Sequence, residues 1–260
     1  REATMFFSDV AGFTSISETL TPAQLSELLN EYLTPMTDII QDSHGYVDKY
    51  EGDAIMAEWG VPFQTEDHAY RACMAAIDQQ KKLAEIRPLL KEKYGHELTV
   101  RMGINTGNVS AGNMGSAKRF SYTVMGDAVN QAARFEPINK DYGTDIIMGE
   151  STYEMVKGSI ESRLLDKIVV KGKTVPIKVY EVIAAKGEIG EKRAKVVKLY
   201  EKALTLHWER KFEEALLLLD EALTDQSDQA CLNLRLRIHS YITESPDENW
   251  QGEFVRTSKD

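Results

Sequence analysis

YVDKYEGDAIMAEWG, Tyr46–Gly60, reads as two strands joined by a tight turn at Glu51–Gly52. A hairpin here decides the fold, because a strand and a helix precede it and a helix and a strand follow it. Thr4–Ser8 is a short apolar strand. Thr21 then opens a helix, with Pro22 at its first position and Gln24 completing a T-x-x-Q capping box. Leu25, Leu28, Leu29, Tyr32, Leu33, Met36 and Ile40 recur at helical spacing and give it one buried face. Pro35 is expected to kink this helix and His44–Gly45 to stop it. Beyond the hairpin, a second helix is expected from Glu66 to about Leu90 and a strand over Leu98–Gly107. This order predicts an α+β chain, a ferredoxin-like antiparallel sheet with helices packed on one of its faces.

Asn108–Arg119, rich in glycine, asparagine and serine, reads as a loop, Phe120–Val124 as a strand and Gly126–Tyr142 as a third helix. TDIIMG (Thr144–Gly149), LLDKIVV (Leu164–Val170) and PIKVYEVI (Pro176–Ile183) add three short strands. Around Ala185 the composition changes. Residues 1–185 form the expected main domain, 186–194 a charged, glycine-punctuated linker, and 195–260 a C-terminal helical hairpin with a mostly irregular tail from Pro246. The hairpin is similar to one tetratricopeptide unit, which cannot bury its own faces. It is therefore expected to dock on the main domain or on a partner.

The 260 residues are 42% hydrophobic, enough for a sizeable core, and carry a net charge of −10. That charge argues against general affinity for nucleic acid or an anionic membrane, which need a basic field. A polyanionic ligand must then be held by a local cluster of cations or by a metal. Cys73 and Cys231 have no ligand spacing and read as reduced core thiols. No apolar run approaches the roughly 20 residues that span a bilayer, and no signal peptide is visible. The chain opens at Arg1 already entering a strand, so it is expected to be a fragment that follows a sensor or membrane anchor.

One charge needs a reason. In FFSDVAGFTS, Phe6–Ser15, Asp9 ends an apolar strand, and Asp53 opens the second arm of the hairpin. A central first strand beside that hairpin would bring the two carboxylates together. Like charges that close repel, and one takes up a proton unless a cation sits between them. Such a pair suits Mg²⁺, which keeps several waters and takes phosphate oxygens as further ligands. The free N–H groups of Val10–Thr14 can cradle phosphates, and Arg101 lies on a strand from which it can reach a polyphosphate. Asn130 and Arg134 are four apart and share a helix face. Taken singly, Arg101 reads rather as a surface strand residue, and Asn130 and Arg134 as a solvated stripe.

Taken together, FFSDVAGFTS, DKYEGDAIMAEWG, VRMGINTGNVSAGNMG and YTVMGDAVNQAAR resemble, in order and spacing, the class III nucleotidyl cyclase catalytic domain, over about Ala3 to Ile183. The resemblance implies a head-to-tail homodimer with nucleotide at the interface. It implies that Asp9, Asp53 and the backbone carbonyl of Val10 bind two divalent cations, Mg²⁺ with Mn²⁺ able to substitute. Phe13 and Thr14 match the family's phosphate-holding turn and Arg101 a phosphate-contacting arginine. Asn130 and Arg134, from the opposite protomer, would position the ribose and stabilise the pentacovalent α-phosphate. Lys171 or Lys173 would grip the terminal phosphates, with Thr174 standing where the family often has glycine. A cytoplasmic location, where ATP and Mg²⁺ are available, follows from the same resemblance.

Lys49 and Thr123 fall on the family's two base-reading positions. A lysine ammonium only donates and a threonine hydroxyl can accept, so the pair suits N1 and N6 of adenine. The expected reaction is conversion of ATP to cyclic AMP and pyrophosphate. A guanylate cyclase, or a catalytically silent nucleotide- or partner-binding pseudocyclase, is the alternative. The threonine hydroxyl weakens the preference for ATP a little, because it can donate as well as accept, so GTP is expected as a minor substrate.

Overall fold

The computed structural model describes residues 1–116, 118–169, 175–224 and 226–255. The chain begins with β1 (Glu2–Val10), a short α1 (Phe13–Thr19) and the long α2 (Pro22–Asp42). The hairpin follows as β2 (Tyr46–Glu51) and β3 (Ala54–Trp59), then α3 (His68–Tyr94) and β4 (Val100–Asn108). A second hairpin, β5 (Ser110–Ser116) and β6 (Arg119–Met125), leads to α4 (Asp127–Tyr142). β7 (Ile146–Gly149), α5 (Glu150–Val156), β8 (Ile160–Val169) and β9 (Ile177–Ala185) complete the main unit. The chain then forms α6 (Glu191–Trp208), α7 (Phe212–Ala222), α8 (Gln229–Thr243) and β10 (Phe254–Val255).

β4-β1-β3-β2 lie side by side, the ferredoxin-like order, inside an eight-stranded sheet that continues from β4 through β7, β9 and β8 to β10. The pairings of β1 with β3 and β4 are antiparallel, whereas β4 with β7 and β10 with β8 are parallel. Thr21 makes the expected capping box, and Leu28, Tyr32, Met36 and Ile40 are the buried stripe of α2, which continues as one helix through Pro35.

Helices cover both faces of the sheet, not one. The period of two along β1 explains why: Phe6 and Val10 enter a core with α2 and α3, while Ala3 and Met5 enter a second with α4 and Val124 of β6. Both sides of this central strand are apolar, so both must be covered. α4 lies almost flush on β4. A methyl group at Gly103 would come within 2.4 Å of the Ala132 carbonyl oxygen and 2.5 Å of the Glu136 nitrogen, and one at Gly107 within 2.8 Å of Ala128. Only glycine permits that approach, and it sets the height of α4 above the sheet.

Asn108–Arg119 is not a loop: Ser110–Ser116 pairs in register with Arg119–Met125 as a separate two-stranded sheet. The C-terminal segment docks on the main unit, sharing a core in which Phe135, Tyr142, Leu165 and Val179 meet Tyr200, Leu204, Leu219 and Leu234. It contains a third helix that its sequence did not signal, and α6 begins inside the expected linker. Buried Arg163 on β8 binds Glu181 on β9 at 2.8 Å and both oxygens of Asp228, the N-cap of α8, at 2.9 Å. Arg193 on α6 closes the ring to Asp228 and Glu181. The segment after Pro246 is less irregular than expected, since Trp250 packs edge-on against His207 at 5.1 Å and Phe254–Val255 pairs with β8. Cys73 and Cys231 are both free and buried.

Candidate active site

Antiparallel pairing of β1 with β3 carries the end of β1 to the hairpin turn, where Gly52 takes a left-handed φ of 66°. Asp53 follows in that turn and accepts a hydrogen bond from the Val10 N–H at 3.0 Å. Burial first, then hydrogen bonding to Asp9 and its charge, push the Asp53 carboxyl up to about 6, although the Val10 N–H works the other way. The bond from Val10, the residue next to Asp9, brings the Asp53 carboxylate beside that of Asp9. Two carboxylates this close need a proton or a cation between them, and an all-oxygen donor set fits a hard divalent ion. Among the described residues no three His, Cys, Asp or Glu side chains converge on a metal position. An ion here would complete its shell with backbone, water and substrate oxygens. Beneath the pair lies the buried Tyr32 phenol, whose protonated form is favoured by burial and by the nearby Asp53 and Asp9 charges.

The turn after β1 differs from expectation. Gly12, at φ 70°, is the N-cap of α1, so Phe13 and Thr14 form a helix's first turn, whose N–H groups have no intrahelical acceptor. Arg101 stands directly opposite Asp9 in the β1–β4 register, so the two side chains share a face. Its guanidinium is 2.9 Å from Glu136 of α4, a partner that sequence reading missed.

Asn130 is exposed and Arg134 half-buried on α4. Arg134 keeps one buried guanidinium nitrogen without a hydrogen-bond partner among the described residues. The start of α4 packs over Gly107, six strand residues beyond Arg101, roughly 20 Å at about 3.3 Å per residue. Asp9, opposite Arg101, and the first turn of α4 thus lie toward different ends of β4, whereas Arg134 belongs to the turn of α4 seated on Gly103, two residues from Arg101. Lys171 and Lys173 fall outside the described residues.

The third cluster joins β2 to β6. Tyr46 and Tyr122 meet edge to face at 5.7 Å. Beside them Thr123 donates its hydroxyl proton to Asp48, whose other oxygen lies 3.3 Å from the Lys49 ammonium. Lys49 and Thr123 converge on a carboxylate that sequence reading passed over. Behind Asp48 lies fully buried Glu58, neither of whose oxygens has a hydrogen-bond partner among the described residues. The only sequence signal was the adjacency of Asp48 to Lys49 and a lone acid in an apolar strand.

A family model for the adenylate and guanylate cyclase catalytic domain matches residues 1–184. The chain belongs to that family. Adenylate cyclase 1 of Rhizobium meliloti is 32% identical to this cyclase domain over 183 residues, 70% of the chain and 28% of the relative. The chain thus spans under a third of that relative's length. The crystal structure of the adenylyl cyclase CyaB from P. aeruginosa is similar with a TM-score of 0.67 and 34% identity, covering 73% of this chain and 97% of that one. The guanylyl cyclase Cya2 is similar with a TM-score of 0.66 and 31% identity, covering 73% and 95%. Overall likeness therefore does not separate the two nucleotides in this cyclase domain.

Proposed function

We propose that this chain is the catalytic domain of an adenylate cyclase acting as a head-to-tail homodimer. The observation that carries the reading is the meeting of Asp9 and Asp53 at adjoining strand ends, a site suited to divalent cations facing a nucleoside triphosphate. In the reaction the ribose 3′-hydroxyl gives its proton to solvent water and its oxygen bonds to the α-phosphorus, while the bond from that phosphorus to the bridging β-oxygen breaks and pyrophosphate leaves. Mg²⁺ held by Asp9, Asp53 and the Val10 carbonyl would supply Lewis acidity to the phosphoryl oxygens. The residues of the chain orient and stabilise. Asn130 holds the ribose, and the Arg134 guanidinium takes an oxygen of the crowded α-phosphate. The opening turn of α1 and one lysine of the Lys171–Lys173 segment meet the outer phosphates, and Lys49 with Thr123 reads the base.

A complete site is taken to draw on two copies, as the resemblance to class III cyclases implies. Each copy supplies acids to one site and the helix residues to the other, so a homodimer holds two equivalent sites.

The deciding assay incubates purified chain with ATP or GTP and Mg²⁺ or Mn²⁺ over a range of protein concentrations. Cyclic AMP and pyrophosphate are expected from ATP, with specific activity rising as protein is concentrated. Equal turnover of GTP would make it a guanylate cyclase instead. Nucleotide binding without pyrophosphate release would make it a silent relative.

A further inference from the structure

Thr123 has one hydroxyl proton and two lone pairs, and it alone leaves the base-reading pocket undecided between donor and acceptor. Its environment removes that freedom. A carboxylate oxygen has no proton to give, so the hydrogen bond between Thr123 and Asp48 runs one way, from hydroxyl to carboxylate. The Asp48 side chain is only 1% exposed, against 42% for Lys49, so Asp48 supports the readers from below. Burial, and then the Asp48 charge, push the Glu58 carboxyl up to about 8, with Lys49 pulling the other way. At neutral pH Glu58 therefore carries its proton and adds no second negative charge behind Asp48.

We propose that Asp48 is a specificity-determining residue of this pocket: by taking the Thr123 proton it leaves the Thr123 oxygen only able to accept, which selects a purine with a 6-amino group. A 6-oxo purine would face that oxygen with lone pairs against lone pairs, and its N1–H would face the Lys49 ammonium. The same carboxylate holds Lys49 beside Thr123, which keeps the two readers at one spacing. This rests on the cyclase reading above for the identity of the ligand. Asp48 acts through Thr123 and Lys49 as a positioning residue and need not touch the nucleotide.

The test compares ATP, its 6-deamino analogue (purine riboside triphosphate) and GTP, by kcat/KM and by binding, in the wild type, Asp48→Ala and Asp48→Asn. Both ATP and the 6-deamino analogue keep N1 as an acceptor for Lys49, so their difference reports on Thr123 alone. Removing the 6-amino group is expected to cost the wild type about tenfold, because the buried acceptor loses its donor. In Asp48→Ala the hydroxyl can turn, so that penalty should shrink to about twofold or less and the GTP-to-ATP ratio should rise about tenfold. Asp48→Asn, closer in shape, should move both quantities in the same direction by less.

A wild type indifferent to the 6-amino group would overturn the proposal, and this comparison needs no variant. So would a penalty that persists in a variant melting like the wild type, or an equal loss for all three nucleotides, since a merely structural Asp48 would weaken them together. If the wild type binds the nucleotides and turns over none, the cyclase reading fails while the binding series still judges Asp48.

Discussion

The Val10 N–H donates to the Asp53 carboxylate at 3.0 Å, tying the hairpin turn to the end of β1 and setting Asp53 against Asp9. One acid thus holds local structure and takes part in the charge pair. Asp53→Asn separates the two roles, since an amide oxygen can still accept from Val10 but carries no charge. Its unfolding midpoint should stay close to the wild type. Groups that merely orient metal ligands cost about 10- to 100-fold when removed, so cation-dependent turnover should fall by at least the upper figure. A calorimetric scan beside a pyrophosphate-release assay measures both. Retained turnover would remove Asp53 from the cation site.

Asp9→Ala and Arg134→Ala protomers should each be inactive alone and regain activity when mixed. Random pairing makes half the dimers mixed, each with one intact composite site of two, so about a quarter of wild-type activity is expected. An inactive mixture whose dimers form normally, as judged by analytical ultracentrifugation, would mean that the site is not shared in this way.

Gly103→Ala tests the seating of α4. The added methyl meets the backbone of Ala132 and Glu136 at 2.4 and 2.5 Å, and backbone cannot turn aside as a side chain can. Overpacking of this kind costs about 1–3 kcal/mol, visible as a lower denaturant midpoint. Lifting α4 also displaces Asn130 and Arg134, so kcat should fall more than KM rises. A variant with wild-type kcat would show that the seating of α4 has no catalytic consequence.

Asp228 makes the C-terminal helices sensitive to acid. Burial alone would raise its carboxyl, but Arg163, the Cys231 N–H and Arg193 outweigh burial and hold it down at about 2. An unfolded aspartate titrates near 3.9. Its stabilising contribution is therefore complete above about pH 4 and is lost as pH falls toward 2, an effect on the order of 2 kcal/mol. Asp228→Asn should flatten that part of the stability-versus-pH curve in acid titrations followed by circular dichroism. Asp228→Ala leaves Arg163 short of a buried partner and should cost about 3–5 kcal/mol at neutral pH. An unchanged acid profile in Asp228→Asn would mean that other carboxyls govern the transition.

Strand, helix, hairpin, helix and strand were legible because each announces itself locally, by the capping box at Thr21, the stripe from Leu28 to Ile40 and the turn at Glu51–Gly52. β5 was not, since SAGNMGS has the composition of a loop and becomes a strand only by pairing with β6. α5 and α8 were missed for a related reason: their few buried residues find their partners in distant strands and helices. Asp9 and Asp53 could be picked out from residue type and order, and Lys49 and Thr123 from the family resemblance, whereas Asp48, Glu58 and Glu136 could not, because their partners lie on other elements.

The strand, helix, hairpin, helix and strand of the main unit and the pairing of Asp9 with Asp53 were determined by the sequence alone, since periodicity, caps and turn residues act over a few neighbours. Only the tertiary structure decided that α4 rests on Gly103, that Arg101 answers to Glu136, and that the Thr123 hydroxyl points its proton at Asp48. Those are matters of distance and hydrogen-bond direction between residues far apart in the chain, and they exist only once the sheet has closed around them.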